Sequence, residues 1–381
     1  MKVAVLAPEH VPPLRGGLDL LNDRLAAELR AQVVLRPSKE RSLEDLVASY
    51  RAWAELDAGG FDAVISTKYP TWMVQHPRHV VWMAHKLRGL FDLYPVKLPL
   101  RADGLAGEVA SALDALTRAV RRRASNREAA VLAMEVVEVA RRAQPEAAAF
   151  PGPLAREVIL RLDDLALGTD RIARHAAISR SVARRPGYFP RGAEVRVIHP
   201  PPAKTSLRPG PAGDYFLAVS RLDRPKRLDL IVRAFGRVRA KARLLIAGAG
   251  PELEHLRAEA APDRRVELLG FVSEDALAGL YAGCLAVAFA PFDEDFGFVC
   301  VEAFAAAKPV VTTLDSGGPA ELVRDGETGF VVPPTERELA RALQALADDR
   351  SRAEAMGRRG AAAAAQMSWG AVTRALGVDL P

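Results

Sequence analysis

Short apolar runs alternate along this chain with stretches of helical periodicity. Lys2 leads into Val-Ala-Val-Leu-Ala, and further mostly apolar runs fall at 63–66, 80–83, 176–179, 215–219, 244–247 and 285–290. Runs of this length without polar alternation suit strands buried on both faces. Between them, residues 18–29 and 228–238 repeat apolar positions at helical spacing, and 105–148 form an almost unbroken helical stretch rich in Ala, Arg and Glu. Strand and helix in alternation predict doubly wound parallel sheets. Ligands of such sheets bind beyond the carboxyl ends of the strands.

At 381 residues the chain exceeds one ordinary domain and suits two, each with its own core. The stretch His199-Pro-Pro-Pro, running to Gly213 with two further prolines, Pro209 and Pro211, is the natural linker, since proline continues neither a helix nor an inner strand. The expected division is a first domain over 1–200 with a helical insert at about 105–148, a second over 201–365, and a last helix in 366–381. A proline-rich loop is expected over 8–14, after the first strand, with the Gly16-Gly17 turn behind it.

Composition narrows the class. Hydrophobic residues at 49% and charged residues at 26% describe a soluble globular protein. Cys284 and Cys300 make no disulfide framework, the chain opens directly on a strand, and no apolar stretch reaches the length of a membrane span. A cytoplasmic protein is expected, with peripheral contact at the inner face of a membrane left open. The net charge of +6 is compatible with anionic substrates, an anionic membrane face, or simply arginine-rich usage. Nucleic acid is not expected as a partner, because the arginines are scattered and no aromatic platform accompanies them.

The candidate chemistry begins at Glu294-Asp-Phe-Gly-Phe-Val-Cys-Val-Glu302, two carboxylates with seven residues between them, around a glycine turn that should open a helix. The helix N-terminus near Gly297, Phe298 and Val299 offers backbone N–H groups and partial positive charge to a diphosphate. Glu294 can accept hydrogen bonds from sugar hydroxyls, and Glu302 can take a ribose diol on its two oxygens. Alone, the motif is equally an ordinary surface loop before a helix with a solvated glutamate. Upstream, Arg221 and Lys226 lie between a short strand and an amphipathic helix, where two cations could neutralise charge on a departing diphosphate. Alone, these too could be two solvated side chains of an arginine-rich protein.

The order of segments resembles glycosyltransferase family 4, retaining enzymes of the two-domain GT-B fold. The resemblance rests on Gly16-Gly17, Arg221 with Lys226, Ala247-Gly-Ala-Gly-Pro251, Leu269-Gly-Phe-Val272, Glu294 with Glu302, Lys308-Pro-Val-Val311, Gly317-Gly-Pro-Ala-Glu321 and Asp325 to Pro334. It covers nearly all of the second half and matches the first weakly, at the opening loop, around His85, and at Ala177-Ile-Ser-Arg180. It implies two Rossmann-like domains facing a central cleft, with the last helix crossing back to the first. It also implies a nucleotide-sugar donor, UDP- or GDP-linked, and no cofactor or metal. The acceptor would be a saccharide, a lipid-linked molecule or a small metabolite, and the oligomeric state stays open. On this scheme Arg221 and Lys226 stabilise the leaving diphosphate, Glu294 positions the sugar, and Glu302 holds the ribose. His85 shapes the reacting centre, and Gly16 and Gly17 bring amides to the phosphates. Gly270, Phe271 and Val272 would meet the base mainly through backbone, and Phe296, Gly297, Phe298 and Val299 would line the phosphate.

Other motifs read differently. Gly248-Ala-Gly250 has Leu253 where a dinucleotide fingerprint needs its third glycine, so a turn ending a strand is the better reading. Asp293-Glu294-Asp295 formally spells a divalent-metal signature, set aside because the surrounding turn, helix and second glutamate match the metal-independent pattern. Gly318-Pro319-Ala-Glu321 reads as a helix start, Ser179 as a helix cap and Cys300 as a packing thiol. Arg88 and Asp92 fit an acceptor-side pair or a surface ion pair equally. Against catalysis stands a GT-B-like protein that binds nucleotide or a partner without turnover, and a sugar-nucleotide epimerase is a further alternative. The retained Arg221, Lys226, Glu294 and Glu302 argue against the first, and their family-4 arrangement against the second.

Overall fold

The computed structural model describes residues 1–10, 16–204 and 206–378. The proline-rich loop expected over 8–14 therefore lies partly outside the described residues. The chain divides into two compact units, Met1–Ile198 with Trp369–Pro381, and His199–Ser368.

In the first unit the chain runs β1 (Val3–His10), α1 (Gly17–Leu29), β2 (Gln32–Ser38), α2 (Leu43–Ala54), β3 (Ala63–Lys68) and β4 (His79–His85). There follow α3 (Gly107–Arg121), α4 (Asn126–Ala143), α5 (Pro153–Ala166), β5 (Arg174–Ala177), α6 (Arg180–Arg184) and β6 (Val195–Val197). The strands form one parallel sheet in the order β2-β1-β3-β4-β5-β6. Its inner strands are apolar because both faces are covered: Val3 to Leu6 and Ala63 to Ile65 are at most 1% exposed. The expected single helical stretch over 105–148 is in fact two helices, broken at 122–125, where Arg123 is left-handed (φ 60) and Ser125 caps α4 by accepting from the Glu128 amide. Buried Ala129, Ala133, Val136 and Ala140 form a stripe of mostly small side chains along α4, which packs on α2, α3 and α5.

Behind β4 the core is polar. Asp163 of α5, fully buried, accepts from Tyr50 Oη (3.0 Å) and Trp72 Nε1 (2.7 Å), and Lys86 Nζ lies 3.5 Å from its other oxygen. Burial pushes the Asp163 carboxyl up and the Lys86 ammonium down, each moderated by the other's charge. Lys86 also donates to the Gly187 carbonyl at 2.8 Å.

The second unit runs β7 (Tyr215–Val219), α7 (Leu228–Phe235), β8 (Arg243–Ala247), α8 (Leu253–Ala260), β9 (Val266–Gly270), α9 (Glu274–Gly283) and β10 (Ala286–Ala288). It continues with α10 (Phe298–Ala305), β11 (Val310–Thr313), α11 (Gly318–Leu322), β12 (Gly329–Val332), α12 (Glu336–Asp348) and α13 (Arg350–Ala365). The last helix, α14 (Trp369–Leu376), belongs to the first unit, where it packs on α1 and the Ala375 carbonyl accepts from Arg174 Nη1 at 2.7 Å. The second sheet is parallel in the order β9-β8-β7-β10-β11-β12. Each strand feeds two cores by alternation. Phe216 and Ala218 face α7, α8 and α12, whereas Leu217 faces Tyr281 of α9 and Cys300 and Phe304 of α10. That strand order is the dinucleotide-fold order, and its direction reverses between β7 and β10, which makes the gap beyond their carboxyl ends the switch point of the sheet.

Candidate active site

The loops that leave β7 and β10, which carry Lys226 and Glu294, meet at that switch point. After β7 the chain turns through a short 3-10 segment, Arg224–Lys226, into α7. After β10 it runs through Pro291 to Phe296 into α10. Lys226 Nζ donates to Glu294 Oε2 at 2.6 Å, both side chains about four-fifths buried at 16% and 21% exposed. Lys226 and Glu294, one from each half of the expected constellation and 68 residues apart in sequence, thus form an ion pair.

Backbone geometry holds Glu294 in place. Its amide donates to the Ser316 carbonyl at 2.9 Å, and its carbonyl accepts from the Gly318 amide at 2.8 Å. Gly317 sits at φ +70, and a Cβ there would lie 2.5 Å from the Glu294 carbonyl oxygen. Only glycine permits that approach. Gly297, at φ 91, caps α10 and turns the chain so that Phe298 and Val299 form its first turn, where amides lack partners within the helix.

Arg227, beside Lys226, performs a different task. Its guanidinium takes both oxygens of Asp315 at 2.7 Å, Thr313 Oγ1 at 2.9 Å, and the Ala290 and Pro291 carbonyls at 2.9 and 2.8 Å. This fork ties the ends of β10 and β11 to the start of α7 and holds the Asp315 carboxyl below its usual range. Arg221 is the more open cation: its side chain is 72% exposed and pairs with Asp223 at 2.9 Å. The loop that carries it is seated by Gly250, where a Cβ would meet the Leu222 carbonyl oxygen at 2.4 Å. The Gly248-Ala-Gly250 turn therefore serves the Arg221 loop by close packing.

Glu302, in α10, is 8% exposed and its carboxylate is already engaged. Oε2 accepts from Tyr281 Oη at 2.8 Å, and Oε1 pairs with Lys204 Nζ at 3.1 Å. The sequence reading missed both partners. Tyr281 sits at core spacing in α9, and Lys204 sits in a proline-rich segment with no periodicity, so neither signals a polar contact. The Phe296 side chain is 1% exposed and packs against Phe298 (5.2 Å between centroids) and His199 (5.8 Å), so its backbone is the part left to line the turn. Phe298 and Val299 stay half-buried, and at the end of β9 Gly270 turns left-handed (φ 67) beneath a Phe271 that is 87% exposed. Cys284 and Cys300 are buried free thiols, the first pushed up to about 12 by burial. Among the described residues no group of three or more His, Cys, Asp or Glu is placed to hold a metal ion.

The first unit carries its own candidates. His85 closes β4 with Lys68 of β3 as its register partner and the Tyr69 ring edge-on at 5.8 Å. Burial, reinforced by the charges of Lys68, Arg88 and Arg185, lowers its pKa to about 3, so the imidazole is neutral at neutral pH. Nδ1 donates to the Lys86 carbonyl at 2.8 Å, which leaves Nε2 as the acceptor. Arg88 and Asp92 form an ion pair at 2.6 Å, and Asp92 also accepts from Tyr188 Oη at 2.6 Å. Ser179 caps α6, accepting from the Val182 amide at 3.0 Å. Gly16 caps α1, and its amide donates to Asp19 Oδ2 at 2.7 Å, so this amide already has an anionic acceptor within its own helix.

The chain is similar to the D-inositol 3-phosphate glycosyltransferase of Nocardia farcinica, 32% identical over 243 residues, 58% of this chain and 53% of that protein. It is similar to the GDP-mannose-dependent alpha-(1-6)-phosphatidylinositol monomannoside mannosyltransferase of Mycobacterium tuberculosis, 33% identical over 237 residues, 55% of this chain and 60% of that one. It spans about half the length of the curated relatives it matches. In fold it is similar to sucrose-phosphate synthase from Thermosynechococcus elongatus, with a TM-score of 0.64 at 16% identity over 99% of this chain and 97% of that one, which is a GT-B fold. Residues 205–363, the segment that holds the Lys226–Glu294 pair, match the family model of glycosyl transferases group 1.

Proposed function

We propose that this protein is a retaining glycosyltransferase of family 4 that moves a hexose or hexosamine from a UDP- or GDP-linked sugar to an acceptor hydroxyl without a metal ion. The observation that carries the reading is the Lys226–Glu294 pair at the switch point of the second sheet, beside the N-terminus of α10. In this scheme Lys226, Arg221 and the first-turn amides of α10 neutralise charge that grows on the departing nucleoside diphosphate. Glu294, fixed by Lys226 and by Gly317, orients hydroxyls of the sugar. Glu302 retains acceptor capacity for the ribose, because an ionised carboxylate has about four lone-pair sites and Tyr281 and Lys204 use two. His85 acts as a neutral acceptor that shapes the reacting centre. The bond from the anomeric carbon to the diphosphate breaks, the acceptor oxygen bonds to the same face, and the leaving phosphate takes the acceptor proton.

Cell-envelope glycolipid or polysaccharide synthesis at the cytoplasmic face is the preferred setting, supported by the Mycobacterium relative, whose name specifies a phosphatidylinositol mannoside. The Nocardia relative, whose name specifies inositol 3-phosphate, favours a second reading in which the acceptor is a small polar metabolite. The test is donor binding and slow hydrolysis with UDP-, GDP-, ADP- and dTDP-sugars in the presence of EDTA, for the natural chain, Lys226→Ala and Arg221→Ala. One donor that turns over without metal and fails in both variants supports the reading. Turnover that survives Lys226→Ala rejects the assigned chemistry, and binding without turnover, even with acceptors supplied, indicates a non-catalytic binder.

A further inference from the structure

We propose that residues 93–101 of the first unit form a loop that docks on an anionic lipid surface. Nine large hydrophobic side chains are exposed among the described residues, and three of them, Leu93, Val96 and Leu100, fall within eight consecutive positions. Val96 is fully exposed and Leu100 is 62% exposed. Clustering of this kind marks an interaction site, whereas single exposed leucines do not.

The loop is held from beneath. Tyr94 is buried and donates from Oη to the Pro99 carbonyl at 3.0 Å, and the Leu98 amide donates to the Pro95 carbonyl at 2.9 Å. From α5, Arg156 Nη1 donates to the Leu100 carbonyl at 3.1 Å while its guanidinium lies 5.6 Å from the Tyr94 ring. Pro95 and Pro99 keep the segment out of helix and sheet. The apolar tips therefore point into solvent from a fixed base, and little ordering entropy remains to be lost on insertion.

Charge selects the occupant. Exposed Lys97 and Arg101 each follow an apolar tip, Val96 and Leu100, and the segment contains no carboxylate. Apolar side chains with cations beside them match the boundary between acyl chains and anionic headgroups, where long basic side chains reach outward to phosphate. Each cation near such a surface raises affinity about fivefold. The loop leaves the same strand, β4, that ends in His85, so a bilayer bound here would present headgroups to the first unit. This last step rests on the proposed transferase reading, but the docking does not.

The experiment is flotation of the full chain with vesicles of phosphatidylcholine alone and of phosphatidylcholine with about one-third phosphatidylglycerol. The expected result is binding to the anionic vesicles only, reduced at least tenfold in Val96→Asp/Leu100→Asp and several-fold in Lys97→Glu/Arg101→Glu or at about 0.5 M salt. All four side chains are exposed, so the unfolding midpoint should not move, and a shifted midpoint would disqualify that variant in favour of the other pair. Absence of flotation, equal binding to both vesicles, or full binding by Val96→Asp/Leu100→Asp overturns the proposal. So does sedimentation showing a vesicle-free dimer, or a stable protein complex, that the same variant dissolves. Donor hydrolysis measured without vesicles separates the two ideas: flotation without hydrolysis rejects the transferase reading alone, and hydrolysis without flotation rejects the loop alone.

Discussion

Glu294 and Glu302 place the same chemical group in two surroundings, and their expected behaviour differs accordingly. Glu294 pairs with one cation beyond the carboxyl end of the sheet, whereas Glu302 is almost closed off between a tyrosine and a lysine. Lys226→Ala should lower donor turnover by about a hundredfold or more, about 3 kcal/mol of barrier, with little change in thermal midpoint; steady-state hydrolysis and calorimetry together check it. Tyr281→Phe should instead cost about 2 kcal/mol of stability, because it strips a buried carboxylate of one donor. Urea unfolding measures that loss, and a change below a few tenths would show that Lys204 alone satisfies Glu302. Lys226 and both glutamates were legible from the sequence as candidates; the polar contact of Tyr281 was not, because its spacing in α9 is that of a core residue and its hydroxyl leaves no periodic trace.

The strand-loop-helix unit around Glu294 depends on a neighbouring element that the motif itself does not contain. Gly317, after β11, admits the Glu294 carbonyl, and Arg227, before α7, ties Asp315 to the ends of two strands. Gly317→Ala should therefore destabilise by more than about 2 kcal/mol, from the left-handed backbone and the close carbonyl together. It should also lower donor affinity, which titration of the purified variant would detect; unchanged affinity would separate the loop from the site. In the first unit, β4 leads into Lys86, whose charge faces buried Asp163. Lys86→Met should cost about 3–5 kcal/mol by leaving that carboxylate without its counter-charge, and Lys86→Met/Asp163→Asn should recover part of it in the same urea series. The break between α3 and α4 was not legible, since Ala- and Arg-rich sequence on both sides of 122–125 favours helix and only the left-handed Arg123 and the Ser125 cap end it.

At the scale of the whole molecule, histidines whose pKa is lowered make stability fall on acidification. His79 is 1% exposed; Nδ1 donates to the Val74 carbonyl and Nε2 accepts from Ser66 Oγ. Burial lowers its pKa to about 3. The unfolded chain takes up the proton near the ordinary value and the folded chain only near 3, so this contribution is complete above about pH 6.5 and is lost progressively below it. At pH 5 the loss is about 2 kcal/mol from His79, and His85 adds to it in the same direction. Replacing His79 with Gln should flatten the change in unfolding free energy between pH 7 and pH 5 by about that amount. An unaltered slope would mean that His79 titrates normally.

Whereas β2, β6, β9, β11 and β12 did not, the apolar strands β1, β3, β4, β5, β7, β8 and β10, the alternation of strand and helix, the proline-rich 199–213 segment and the set of charged residues near Glu294 followed from the sequence alone. Each is encoded locally, in the burial demanded of one element or in backbone conformations open to glycine and closed to proline. Tertiary structure alone decided the reversal of strand order between β7 and β10, the meeting of Lys226 with Glu294 across 68 positions, and the capture of Glu302 by Lys204 and Tyr281. It alone also exposed the apolar tips of 93–101, which by composition pass for core. Parallel strands pair only through crossovers, so which side chains become neighbours depends on the order in which whole elements dock, and hydrophobic periodicity within one element carries no record of that order.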